Sequence, residues 1–257
     1  MAQPCVVLIG RPIWKNRAAA LLRRRGFALV CYESQRGYVS RLAADQPALI
    51  IVDGAQPDAE FWITTARSSP ASRRIPVVAV AGASATRQAA LDAGANFALS
   101  PASLAADLSP ILADHARVQP EAERRALLAE CDQSLPPQAI EAIRLFNAGE
   151  YYRQHDLLEA LWMEESGPVR SLYQAILQVG IAYYQVARNN RKGALKMLLR
   201  ARQWLAILPD VCRGVDVAQL RADVDRVQAA LEATTDSKMA AFDHALLRPV
   251  TLAHTDP

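Results

Sequence analysis

At 257 residues, with 51% hydrophobic and 21% charged side chains, the chain is too long for one ordinary domain and too apolar to be disordered, so two cored domains are expected. A formal charge of +3 selects no partner, and Cys5, Cys31, Cys131 and Cys212 stand apart with no Cys-x-x-Cys pair, which argues against a zinc site or a disulfide framework and fits a reducing cytosol. No apolar run reaches about 18 residues and no basic-then-apolar leader opens the sequence, so a soluble, cytoplasmic protein without a membrane span is expected.

The first half alternates two periodicities. Short β-rich runs, CVVLIG from Cys5, FALVCY from Phe27, ALIIVD from Ala48, IPVVAVAG from Ile75 and NFALS from Asn96, are separated by helical patterns over 14–25, 37–44, 59–67 and 85–93, with a fifth over 103–115. Five strands each followed by a helix imply a doubly wound parallel sheet covered on both faces, and right-handed crossovers give the order 2-1-3-4-5.

The runs PALIIVDG around Asp53, IPVVAVAGAS after Arg74 and DAGANFALSP near Ala95 resemble the third, fourth and fifth strands of response-regulator receiver domains. The resemblance implies a (βα)5 receiver-like domain over 1–118, with Asp53 at the phosphoacceptor position. It also implies Mg²⁺ held by an acidic pair after the first strand, a Ser or Thr after the fourth and a Lys before Pro after the fifth. Here Gly10 and Arg11 replace the acids, Ala81 the hydroxyl (Ser84 with a slipped alignment), and Ser100 before Pro101 the lysine. The expectation is a pseudo-receiver that needs no cofactor, with Arg11 as a fixed positive charge where Mg²⁺ would sit. The alternative is a phosphorelay response regulator, phosphorylated on Asp53 with Mg²⁺.

A polar stretch over 119–135, with Pro120 and a helix-compatible run near 121–131, reads as a connector. Helices follow over 138–147, 151–165, 169–189, 191–208 and 217–233, punctuated by Gly149, Gly167-Pro168, Asn189-Asn190 and the run from Pro209 to Gly214. Such short links make an all-α bundle over 136–233, followed by a weakly docked or frayed tail over 234–257.

On a helical wheel of YYRQHDLLEALW, Tyr151, His155, Leu158, Glu159 and Trp162 share one face. Burying the two aromatic rings is expected to carry His155 and Glu159 inward. Gln174, Gln178 and Gln185 form a polar stripe on the third helix of the bundle, so a buried His-Glu-Gln network is expected, with Asn147 and Glu150 near its mouth. A structural role for this network and a small-molecule or acid-base site at His155 and Glu159 are both open. No metal is expected: His-x-x-x-Glu offers two ligands, Asp156 lies about 100° away, and the other histidines, His115, His244 and His254, are scattered.

FNAGEYYRQHDLLEALW from Phe146, GPVRSLYQAILQ from Gly167 and GVDV from Gly214 resemble a prokaryotic domain-of-unknown-function family, number 309. Phe146, Asn147, Gly149, Glu150, His155, Glu159, Trp162, Gly167, Pro168, Arg170, Gln174 and Gln178 carry that resemblance, and Asp156 stands where Glu is usual. It implies an all-α fold and no established activity.

Between Glu165 and Asp210 there is no acid, while Arg188, Lys192, Lys196 and Arg200 recur four apart and draw a basic stripe. Neutralisation by Asp223 and Asp225 is one reading, and contact with phosphate groups or an acidic partner the other. Trp204 is the one aromatic near the stripe in sequence, so nucleic acid is not the expected partner. With no nucleophile elbow, Walker loop or dinucleotide fingerprint, the sequence favours a non-enzymatic signalling or scaffold protein that binds a protein partner, a second copy of itself among the candidates.

Overall fold

The computed structural model describes residues 3–253, so His254 and the last residues of the expected tail lie outside it. The chain divides into two compact units, Met1–Val118 and Gln119–Pro257.

In the first unit β1 (Cys5–Ile9), β2 (Ala28–Tyr32), β3 (Leu49–Asp53), β4 (Val77–Val80) and β5 (Phe97–Leu99) alternate with α1 (Lys15–Arg24), α2 (Tyr38–Asp45), α3 (Ala59–Ser68), α4 (Ser84–Asp92) and α5 (Leu104–His115). All neighbouring strands pair in parallel, in the order β2-β1-β3-β4-β5. Successive strand residues point to opposite faces, so each of the central apolar runs feeds two cores. Val7, Ile9, Ile50, Val52, Val77 and Ala79 pack on one side with Tyr38 and Trp62, while Val6, Leu8, Leu49, Ile51, Val78 and Val80 pack on the other with Leu22 and Leu108. This arrangement brings the carboxyl ends of β1 and β3 together where the strand order reverses, the usual place for a site in such sheets.

The second unit runs α6 (Glu121–Cys131), α7 (Pro137–Asn147), α8 (Tyr151–Glu164), α9 (Arg170–Ala187), α10 (Arg191–Leu205), the hairpin β6 (Val211–Cys212) with β7 (Val215–Asp216), and α11 (Val217–Ala233). Local chemistry sets the helix starts. Pro137 opens α7, the Asn190 side chain accepts from Gly193 N at 2.9 Å, and Asp216 accepts from Gln219 N at 2.8 Å. Helix α9 is buried over most of its circumference, from Leu172 and Tyr173 through Val179 and Tyr183 to Val186, which makes it the axis of the unit.

Three features differ from the sequence expectation. The stretch expected as a connector is α6, whose Leu127 and Cys131 are buried in the helical core. The tail is anchored rather than frayed: Met239, Phe242 and Val250 are buried, and Asn147 grips Val250 by donating from Nδ2 to its carbonyl (3.0 Å) and accepting from its N–H (2.8 Å). Beyond it, Asp216 N donates to Thr251 O and Ala253 N to Gly214 O, which lays the tail against the hairpin through one antiparallel bridge between Val215 and Leu252. The third is a disulfide between Cys131 and Cys212, 81 residues apart, where unpaired thiols were expected. A pair so distant leaves no local spacing signal, because the end of α6 and β6 meet only in the folded unit.

Arg213 follows the disulfide at φ 50, its N–H donating to Cys131 O at 2.6 Å and its Nε to Glu130 O at 3.2 Å. Its guanidinium also bonds the Tyr173 hydroxyl and lies 3.5 Å from Glu165, while Glu130 accepts from Val169 N at 2.9 Å at the entry to α9. Closing a loop of that length is worth about 4–5 kcal/mol on a chain-entropy account. Reduction is therefore expected to lower the stability of the helical unit by about that amount, seen as a shifted denaturation midpoint with and without reductant. Alkylation of the unfolded, unreduced protein should mark Cys5 and Cys31 alone.

Candidate functional site

Two regions carry the residues singled out from sequence. The first is the carboxyl edge of the parallel sheet. Asp53 ends β3 half-buried, with Oδ1 accepting from Ala55 N at 3.2 Å. Gly10 ends β1 at φ 101, and a Cβ there would lie 2.9 Å from both Asp53 Cβ and Gln56 Oε1. An aspartate at position 10 would therefore meet a forbidden backbone angle and a steric clash together. The Gln56 side chain occupies the neighbourhood in which the acidic pair of a receiver would work, and its buried Nε2 has no hydrogen-bond partner.

The other receiver positions have different employment here. Arg11, expected beside Asp53 as a fixed charge, bonds Glu33 at the end of β2, which corrects that expectation. This exposed pair holds the Glu33 carboxyl below its usual range, through the hydrogen bond first and the charge of Arg11 after it. Ala81 is buried, Ser84 is exposed at the head of α4, and Ser100 Oγ accepts from Ser103 N and donates to Ser103 Oγ, both at 3.0 Å. Among the described residues no three His, Cys, Asp or Glu side chains converge. The residues present do not fit the magnesium that a receiver-like fold implies.

The second region is helix α8. Its buried face is centred on Gln154, Leu158 and Leu161, not on His155 and Glu159. Tyr151 does pack inward, edge-to-face against Phe146 (5.4 Å) and Tyr183 (5.7 Å), and burial raises the phenol pKa of both tyrosines. Trp162 is half-buried under the Arg170 guanidinium, 4.8 Å from the ring centre. The rings do not carry their neighbours with them. The His155 side chain is 27% exposed, with Nδ1 3.2 Å from Asp156 Oδ1, and Glu159 is exposed. Glu150 sits on the surface paired with Arg153 at 2.6 Å, and Asn147 serves the tail. Among the described residues no hydrogen bond joins His155 or Glu159 to Gln174 or Gln178 as the sequence led one to expect.

The buried polar residue of α8 is Gln154. It is fully buried against the bare backbone of Gly180, where a Cβ would stand 1.9 Å from Gln154 Oε1, and neither amide atom has a hydrogen-bond partner. The Oε1 atoms of Gln174 and Gln178 and the Nε of Arg170 are likewise buried without partners along α9. Sequence reasoning missed Gln154 because the wheel was centred on the aromatics. The signal was Gly180, a helix-weakening residue inside an apolar helix, which marks a close approach.

The residues of the basic stripe fall on two elements, Arg188 at the end of α9 and Lys192, Lys196 and Arg200 on α10. Arg188, Lys192, Lys196 and Arg200 are exposed, while Asp225 pairs with Arg202 and Asp223 with Arg226. Arg188 donates to the Tyr184 hydroxyl at 2.9 Å. Tyr184 lies 6.1 Å from Tyr152, which is stacked at 21° on His155.

The first unit is a receiver-like α/β domain by its strand order, joined to a helical unit. Residues 139–197, covering α7 to mid-α10, match DUF309, a domain of unknown function. An uncharacterized protein of Aquifex aeolicus (strain VF5) is 26% identical over 93 residues, 36% of this chain and 28% of that one, so the match spans less than a third of the relative's length. Of solved structures, the chain is similar to a putative response regulator from Chloroflexus aurantiacus, with 22% identity over 43% of this chain and 99% of that one at a TM-score of 0.38. It is also similar to the receiver domain of the sensor histidine kinase PA1611 from Pseudomonas aeruginosa, with 22% identity over 45% of this chain and 98% of that one at a TM-score of 0.40. No helix among the described residues is long and apolar enough to cross a membrane.

The placement of α8 makes a pair of substitutions informative. His155→Ala is expected to cost no more than about 1 kcal/mol, because the imidazole is only partly buried and its partner Asp156 is exposed. Gln154→Met, which keeps the bulk and removes the unpartnered amide, is expected to stabilise the helical unit by about 1–3 kcal/mol. Chemical denaturation of the three proteins reads both effects.

Proposed function

We propose that this is a signalling or scaffold protein whose receiver-like domain is held in one state and acts as an interaction module, with the helical domain as its partner-reading half. The observation that carries this reading is the clash at Gly10. The backbone that would have to present an acid beside Asp53 admits only glycine, and Gln56 fills the space. A phosphorylated aspartate needs its charge neutralised at that edge, and the cation that follows Gly10, Arg11, is engaged by Glu33. Incubation with acetyl phosphate and Mg²⁺ followed by mass spectrometry is expected to leave Asp53 unmodified. A stable phosphoryl adduct on Asp53 would sink this reading and establish the phosphorelay alternative.

Exposed apolar side chains on the first unit support its role in contacts. Ile13 is fully exposed in the loop that follows the replaced acids, and Phe61 and Leu91 are exposed on α3 and α4. The partner of simplest chemistry is a second copy of the chain, since two-fold contacts are self-complementary. Sedimentation of the full chain is expected to show a concentration-dependent dimer that Ile13→Asp weakens. A monomer at all concentrations removes the self-pairing.

A further inference from the structure

We propose that the outward surface of α8, α9 and α10, near the turn between α9 and α10, binds single-stranded nucleic acid. Sequence order argued against such a partner because the basic stripe has only Trp204 beside it. Tyr184 stands four residues before Arg188 on α9, and packing brings Tyr152 of α8 beside it. Tyr152 and His155 of α8 are stacked on each other, Tyr152 lies 6.1 Å from Tyr184 of α9, and Arg188 both bonds the Tyr184 hydroxyl and lies 5.5 Å from its ring centre. Tyr152 is 63% exposed, so a flat aromatic face meets water where a base could stack.

Arg188 is also the first member of the stripe. Beyond the turn that ends α9, Lys192, Lys196 and Arg200 follow on α10, with a rise of about 6 Å from each to the next. Among the described residues none of these three has a side-chain ion pair or hydrogen-bond partner, and all are exposed. The acids that might have screened them are spent on Arg202 and Arg226. A row of exposed cations on α10 that starts four residues after Arg188, itself bonded to Tyr184, complements a polymer that carries regularly spaced phosphates and unstacked bases. An acidic peptide would use the cations and leave the aromatic faces idle, and a duplex would keep its bases stacked away from them. Asp156 and Glu159 are exposed on the same helix, with Asp156 Oδ1 3.2 Å from His155 Nδ1.

The test is a titration of the full-length protein against a short fluorescent oligothymidylate and oligouridylate, read by anisotropy at several salt concentrations. Saturable binding is expected, with log affinity falling against log salt at a slope of about −3, as neutralising four phosphates on a single strand requires. Lys192→Ala and Lys196→Ala should each reduce that slope by about 0.7. Tyr152→Ala and Tyr184→Ala should each weaken binding roughly tenfold with the slope unchanged. Tyr184→Leu keeps the bulk without an aromatic face and should match Tyr184→Ala, which separates stacking from packing. No binding at low salt overturns the proposal. So does equal binding by the tyrosine variants, or a polyglutamate or duplex competitor that displaces the oligonucleotide as well as a single strand does.

Discussion

The close approach of α8 to α9 at Gly180 governs what the helical unit buries and what it displays. Gln154 fits there only because residue 180 has no side chain, since a Cβ would stand 1.9 Å from the Gln154 amide oxygen. Gln154 is thereby fixed at the centre of the buried face, with Leu158 and Leu161 on the same side of the helix. With that rotation set, helical geometry leaves no freedom: His155 and Glu159 fall on the flank and Tyr152 points outward towards Tyr184. A buried amide without partners is an expensive wedge. Its cost is offset by the burial of Leu158, Leu161 and half of two aromatic rings on the same helix.

At the other end of α9 a different set of restraints gathers the periphery of the unit. The disulfide joins the end of α6 to β6, and Arg213 beside it ties Cys131, Glu130, Tyr173 and Glu165 to one guanidinium. Burial and the Arg213 contacts oppose each other at Tyr173: desolvation, the larger influence, raises its phenol pKa, and the guanidinium lowers it. The tail then lies along the hairpin and is clipped by Asn147. Segments that look like linkers are in this way part of the packed unit, because covalent and backbone bonds hold short elements that too little apolar surface would hold alone.

The receiver-like unit shows how far a fold is independent of its chemistry. Its two cores are made by the alternating faces of five strands, and Gly10, Arg11, Asp53, Ala81 and Ser100 at the sheet's carboxyl edge belong to neither core. Gly10, Arg11, Ala81 and Ser100 could therefore replace ionic and hydroxyl groups without disturbing the sheet. Two of them acquired other work: Arg11 pairs with Glu33, and Ser100 bonds the start of α5. Function at such an edge depends on a few side chains, whereas the sheet depends on a pattern spread over many.

Patterns that repeat along the chain were legible in the sequence. Period-two apolar runs separated by helical segments gave five parallel strands and their order, and the loss of the acidic pair was visible residue by residue. Tyr151 facing inward was legible too, because a large ring leaves few alternatives. The rotation of α8 was not, since it depends on a contact with Gly180, 26 positions away from Gln154 and on another helix. The disulfide, the docking of the tail and the meeting of Tyr152 with Tyr184 share that character. Local sequence fixes which residues share a face of one element; only packing decides which faces meet, because that choice is made by steric fit between side chains with no fixed spacing along the chain.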